Sequence, residues 1–205
     1  MVCFVANAQV TTDNSNTVEW YIQNVLVGAG VTVSGVQYNG GSGATSVLNV
    51  GEFTNAGGVD VGLTDGLILG SGDITMASQN NTGGGSSKPG TNPGAAGTDT
   101  DLAGITTATI YDECVVEFDF IPDGDSIKFN YVFASEEYNE FTCSEFNDLF
   151  AFILSGPGFP AQNIARVPSS SLPVSINTVN NGQVGINGAF WNCSPPNGSL
   201  NLSNF

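Results

Sequence analysis

Residues 114–133 read CVVEFDFIPDGDSIKFNYVF. Val116, Phe118 and Phe120 alternate with Glu117 and Asp119, and Ile127, Phe129, Tyr131 and Phe133 alternate with Lys128 and Asn130. A period of two sends one set of side chains to a buried face and the other to solvent, so the stretch commits the chain to β structure. PDGD supplies a turn, and the pattern predicts a hairpin in which Phe118 faces Phe129 and Asp119 faces Lys128.

The same signal recurs on both sides of it. VTVSGVQY, TSVLNVGEF, GLTDGLILGSG and TTATIY read as short strands divided by Gly, Asn and Asp turns; LFAFILSGPG reads as a strand buried on both faces, and PVSINTVN as an alternating one. The exception is NTVEWYIQNVLVGAG, where Val18, Tyr21, Ile22, Val25 and Leu26 recur at helical spacing. Asn16 with Glu19 resembles a capping box there, and Gly28 stops the pattern. The expected class is therefore all-β, a mainly antiparallel β-sandwich or jelly roll with one short N-terminal helix. A chain of 205 residues is long enough for one such core, so residues 9–205 are expected to form a single domain. Residues 79–100, rich in Gly, Asn and Ser, form no core of their own and are expected to make a flexible surface loop without a phosphate-loop signature.

Charge narrows the function. Against 19 acids stand only Lys88, Lys128 and Arg166, a formal net charge of −16, and there is no histidine. Nucleic acid is excluded as a partner because phosphate binding needs clustered Lys or Arg, and anionic membranes are disfavoured for the same reason. Without histidine, His-based catalytic triads and His-ligated zinc are absent. Any site chemistry belongs to carboxylates, hydroxyls, amides or thiols.

MVCFVANAQV resembles the end of a signal peptide with an Ala6-Asn7-Ala8 cleavage site, so residues 1–8 are taken as its remnant. No other segment is long and apolar enough to be a transmembrane span. Export permits disulfides, and of the three cysteines then left, Cys143 and Cys193 sit in polar, turn-rich surroundings while Cys114 opens an apolar strand. Cys143 with Cys193 is the expected pair.

FNYVFASEEYNEF, FNDLFAFILSGPG, NIARVP and PVSINTVNNG, with the upstream VLVGAGVTVSGVQYNG, DGLILGSG and EFDFIPDGD, follow one another as in the choice-of-anchor L domain family, which the chain resembles from about residue 18 to about residue 182. The resemblance implies a β-rich module of an exported bacterial protein, secreted or at the cell surface, and no known reaction. Similar domains continue with further strands and carry a C-terminal anchoring signal. The chain is accordingly expected to be truncated at its C-terminal end, with the anchor in a region beyond it.

In VFASEEYNEF, Glu136 and Glu137 are neighbours at the end of an aromatic strand, and so point to opposite sides. Three readings follow. Glu136, Glu137 and Asp148, with Asp101 and Asp99 from TDTDLAG, are the hard oxygen ligands that calcium takes when a site is assembled from separate loops. Alternatively, one glutamate accepts backbone or Tyr138 hydrogen bonds and fixes a corner while the other faces water. In the third, a glycosidase pair would need Asp148 or Glu117 as the partner of one glutamate. The expected function is an adhesin-like surface module that binds a glycan or a surface protein, with structural calcium as the cofactor and no enzymatic activity. A polysaccharide hydrolase and a structural or fibre subunit are the alternatives.

Overall fold

The computed structural model describes residues 10–55, 61–79, 97–138, 140–180 and 185. They fall into two compact units: the first takes the chain through residue 79 with 97–99 and 108–132, the second takes 100–107 and the chain from Phe133 onward. Strands outnumber helical pieces in both units, as the alternating sequence predicts, so the chain is all-β.

In the first unit two three-stranded antiparallel sheets share one core. One sheet has the order β1 (Val10–Asp13), β4 (Val50–Asn55), β5 (Asp65–Leu69); the other has β3 (Gly41–Ser42), β2 (Val31–Tyr38), β6 (Val116–Pro122). Val36 and Val50 meet Val18, Tyr21 and Ile22 of the helical segment in the core, with Val33, Tyr38, Leu67, Val116 and Phe118 packed around them. Sequence alternation alone does not deliver that face. Val31 and Val33 point inward on odd positions, Val36 and Tyr38 on even ones, so one residue must be inserted between them. The register against β6 supplies it by slipping from Ser34 opposite Asp119 to Gln37 opposite Glu117. Gly35 sits in the slip at φ +64, a left-handed conformation that costs glycine nothing and a β-branched residue much.

The helical segment α1 (Val18–Tyr21) continues as a π-turn, Ile22–Leu26. Its cap is Thr17, whose Oγ1 accepts from Trp20 N at 3.2 Å, one position along from the Asn16 of the expected capping box. Backbone carbonyls of the loop satisfy the next donors: Val18 N reaches Thr45 O and Glu19 N reaches Gly43 O, both at 2.8 Å. Fully buried Tyr21 places its hydroxyl between Asp13 O, to which it donates at 3.0 Å, and Asn16 N, from which it accepts at 3.1 Å. Trp20 on the same segment lies at the surface, edge-on to Tyr21 at 5.4 Å.

The expected hairpin does not form. β6 pairs with β2, about eighty residues upstream in sequence terms, while Ser126–Val132 lies outside every strand and Ile127, Phe129 and Tyr131 are exposed. Alternation shows that a stretch suits a pleated surface; the partner is decided by long-range packing. TTATIY likewise forms no strand.

The second unit is built from smaller pieces. β7 (Leu149–Phe150) pairs with β10 (Val174–Ser175), and β8 (Ile153–Gly156) with β9 (Phe159–Asn163). LFAFILSGPG is thus two short strands, and PVSINTVN is a strand of two residues followed by a buried turn. Val167, Val174 and Val179 form the core with Phe133, Phe150 and Leu172. A short helix, α2 (Thr100–Ala103), belongs to this unit.

Candidate acidic corner

The SEEY stretch is a hydrogen-bonded turn in the second unit. Ser135 Oγ donates to Asp148 Oδ2 at 2.7 Å and accepts from Glu137 N at 3.2 Å, so one hydroxyl ties the turn to the residue just before β7. Phe141 N closes the turn on Glu137 O at 2.9 Å. The Tyr138 hydroxyl donates to the Val179 carbonyl, and Ile176 N donates to Asp148 O at 3.2 Å, so both ends of the corner are held to the buried turn after β10. The Ser135 and Tyr138 hydroxyls and Asp148 fasten the corner.

That arrangement collects like charge. Burial holds the Glu136 carboxyl above its ordinary range, with Asp148 adding to the effect. Glu137 is pushed up from 4.5 to about 7, first by burial and then by Glu136, Asp148 and Glu140. The Tyr138 hydroxyl is raised as well, by burial and by Asp148. Of the residues the sequence singles out for calcium, the fold therefore gathers Glu136, Glu137 and Asp148 into one electrostatic neighbourhood. Asp101 lies on α2 of the same unit beside a cavity lined by Gln162 and Asn163 and is not among the charges acting on Glu137. Asp99 belongs to the first unit, where its N–H and that of Thr98 donate to Glu113 Oε2 at 3.2 and 3.0 Å. Among the described residues no group of three His, Cys, Asp or Glu side chains is arranged to hold a metal ion.

Of the residues that fasten the corner, Asp148 and Tyr138 are conspicuous in the sequence and Ser135 is not. Ser135 was legible only as the start of SEEY. Asn177, in a segment that reads as an alternating strand, accepts from Cys143 N at 2.8 Å through Oδ1, donates to Ser144 O at 3.0 Å through Nδ2, and gives its own N–H to Asn147 Oδ1 at 2.9 Å. Those bonds hold Cys143 at φ +68, a conformation unusual for a side chain with a Cβ.

The cysteines divide between the units. Cys114 is free in the first, where burial pushes its thiol up to about 12 and its Sγ lies 3.6 Å from Asn49 O; such a thiol is inert packing. Cys143 is fully buried in the second. Cys193, its expected partner, lies outside the described residues, as do the expected signal remnant at 1–8 and most of the expected loop at 79–100.

Fold and corner together define a class: an all-β module of short antiparallel sheets whose clustered ionisable groups are carboxylates on turns. Over residues 9–203 the chain matches the family model of the choice-of-anchor L domain, and it belongs to that family. It is therefore a surface-associated bacterial protein module, of a family that implies export and surface anchoring. Among the described residues no helix is long and apolar enough to cross a membrane. No curated protein and no solved structure matches the chain.

Proposed function

We propose that the chain is a binding module of a larger, surface-anchored bacterial protein, engaging a glycan or a surface protein through its loops, with the acidic corner serving as a structural calcium site. The observation that supports the calcium reading is the convergence of Glu136, Glu137 and Asp148 on one corner, where burial and mutual repulsion raise the glutamates' affinity for a proton. Whatever lowers that repulsion stabilises the native state, and calcium accepts irregular sets of carboxylate and carbonyl oxygens from turns. The side chains do not stand as a closed cage. Binding on this reading draws the two glutamates toward Asp148.

Calcium and pH test this together. A carboxyl whose folded pKa is raised stabilises fully below its unfolded value and loses that contribution as pH rises through the folded one. In EDTA the melting temperature is expected to fall as pH rises from about 4.5 to about 7, the interval spanned by Glu137. Saturating calcium, with magnesium as control, should raise the melting temperature at pH 7.5 and flatten that slope, and Glu137→Gln should reduce both effects. Calcium that leaves melting unchanged at pH 7.5 removes the metal from the proposal.

The Cys143–Cys193 disulfide belongs to the same reading, supported by the full burial of Cys143. In the chain-entropy picture closing such a loop stabilises by about 4 kcal/mol. Peptide mapping without reductant should recover the two cysteines linked; alkylation of both in the native protein would refute the pairing.

One observation favours hydrolysis as the second reading. A carboxyl titrating near 7 is suited to general acid work, and Glu137 is such a group. Release of reducing ends from a polysaccharide, abolished by Glu137→Gln with folding intact, would replace the binding reading with this one.

A further inference from the structure

The first unit carries a polar cleft of about 300 Å³ that none of the preceding chemistry uses. It is lined by Asn24 and Val25 of the π-turn and by Glu52, Phe53, Thr54, Asp65 and Gly66 of β4 and β5. Three departures from what a sandwich needs for stability meet around it.

The first is in the row of side chains facing the core. Val50 is buried there, and the register sets Val50 opposite Leu69, Glu52 opposite Leu67, and Thr54 opposite Asp65. Alternation puts Glu52 and Thr54 on the same face as Val50, where Leu67 joins the core packing. The row therefore passes from apolar to acidic toward its open end, where Thr54 and Asp65 are exposed and Glu52 is a half-buried acid on a core-facing position. Secondly, Asp13 lies directly opposite Glu52 across β1 and β4. Like charges so placed destabilise a sheet, and the fold relieves this by turning the Asp13 carboxylate to Ser15 N and Oγ, leaving Glu52 to the cleft. The third is the π-turn itself, a rare and costly backbone that recurs at functional sites. Broken local rules that converge on one cavity are the pattern expected of a binding site.

The lining selects the ligand. Two carboxylates, an amide and a hydroxyl offer hydrogen-bond acceptors in excess and no cation, which rejects phosphates, sulfates and uronic acids. Asn24 is pre-oriented by its Nδ2 bond to Trp20 O at 2.8 Å, and the Thr54 hydroxyl by its 2.6 Å bond to Thr11 Oγ1. Fixed acceptors on rigid strands suit vicinal hydroxyl groups, and the volume suits one or two sugar rings. We propose that this cleft is a subsite for an uncharged sugar unit, with Glu52 and Asp65 accepting from its hydroxyls. The proposal rests on the glycan arm of the binding reading above.

The test is an NMR titration of the whole chain with maltotriose, mannotriose and chitotriose. The expected result is saturable shifts of the Asn24, Glu52, Thr54 and Asp65 amides with at least one of them, and affinity about tenfold weaker in Glu52→Gln, where a charged acceptor becomes a neutral amide. If Glu52→Gln does not fold, exposed Asp65→Asn carries the same comparison. Saturable shifts confined to the second unit overturn the cleft and leave glycan binding standing. An absence of saturable shifts with all three sugars overturns the cleft, while the protein-partner and calcium readings keep their own tests.

Discussion

Gly51→Ala should cost the first unit about 3 kcal/mol or more, because the added methyl meets backbone that cannot move aside. A Cβ at Gly51 would fall on the Asp13 carbonyl oxygen and 2.5 Å from Ile74 Cδ1. Asp13 O is already bound by the hydroxyl of fully buried Tyr21, so shifting it opens that hydrogen bond and disturbs the start of the helix beyond it. The strain cannot be shed by a side-chain rotation. Urea unfolding followed through tryptophan fluorescence reads the loss. Gly28→Ala is the control: nothing lies within 4 Å of its Cβ, and that variant should stay within about 0.5 kcal/mol of the parent. Equal stability of the two variants would refute the β1–β4 register.

Asn177→Leu should have an effect of similar size on the second unit. The side chain is buried, and both of its ends are used, on Cys143 N and on Ser144 O. Leucine keeps the volume and leaves two buried backbone groups unsatisfied, each worth about 1–3 kcal/mol. The cost is compounded because Cys143 stands at φ +68, a conformation that needs support from its surroundings, and the Asn177 side chain supplies part of it. Hydrogen exchange should localise the loss, with the Cys143 amide exchanging orders of magnitude faster while β2 and β6 keep their protection. Uniform acceleration across both units would show that the network stabilises the whole chain rather than this turn.

Which parts were legible follows from the range of the interactions. VTVSGVQY announces β2, and DGLIL announces β5, because the alternation and the flanking turn residues are local. The helix at Val18 is legible for the same reason, although its cap moved from Asn16 to Thr17 once the loop at Gly43–Thr45 supplied backbone acceptors. The slip at Gly35 was not legible: VTVSGVQY reads as one uninterrupted strand, and only pairing with β6 reveals that Val36 must change face. The Asn177 network was hidden by its own pattern, since PVSINTVN alternates as a strand would.

The acidic corner divides along the same line. Its members Glu136, Glu137 and Asp148 are conspicuous in a chain with three cations and no histidine; Asp101, equally conspicuous, is not among the charges acting on Glu137, and Asp99 belongs to the first unit. By itself the sequence determined the all-β class and the surface family, because period, turn residues and the order of motifs are read along the chain regardless of its path. The tertiary structure alone decided that β6 pairs with β2 instead of with Ile127–Tyr131, that Ser135 and Asn177 fasten the corner, and which carboxylates repel one another. Those outcomes depend on which distant segments meet, and a contact between them has no signature in either segment alone.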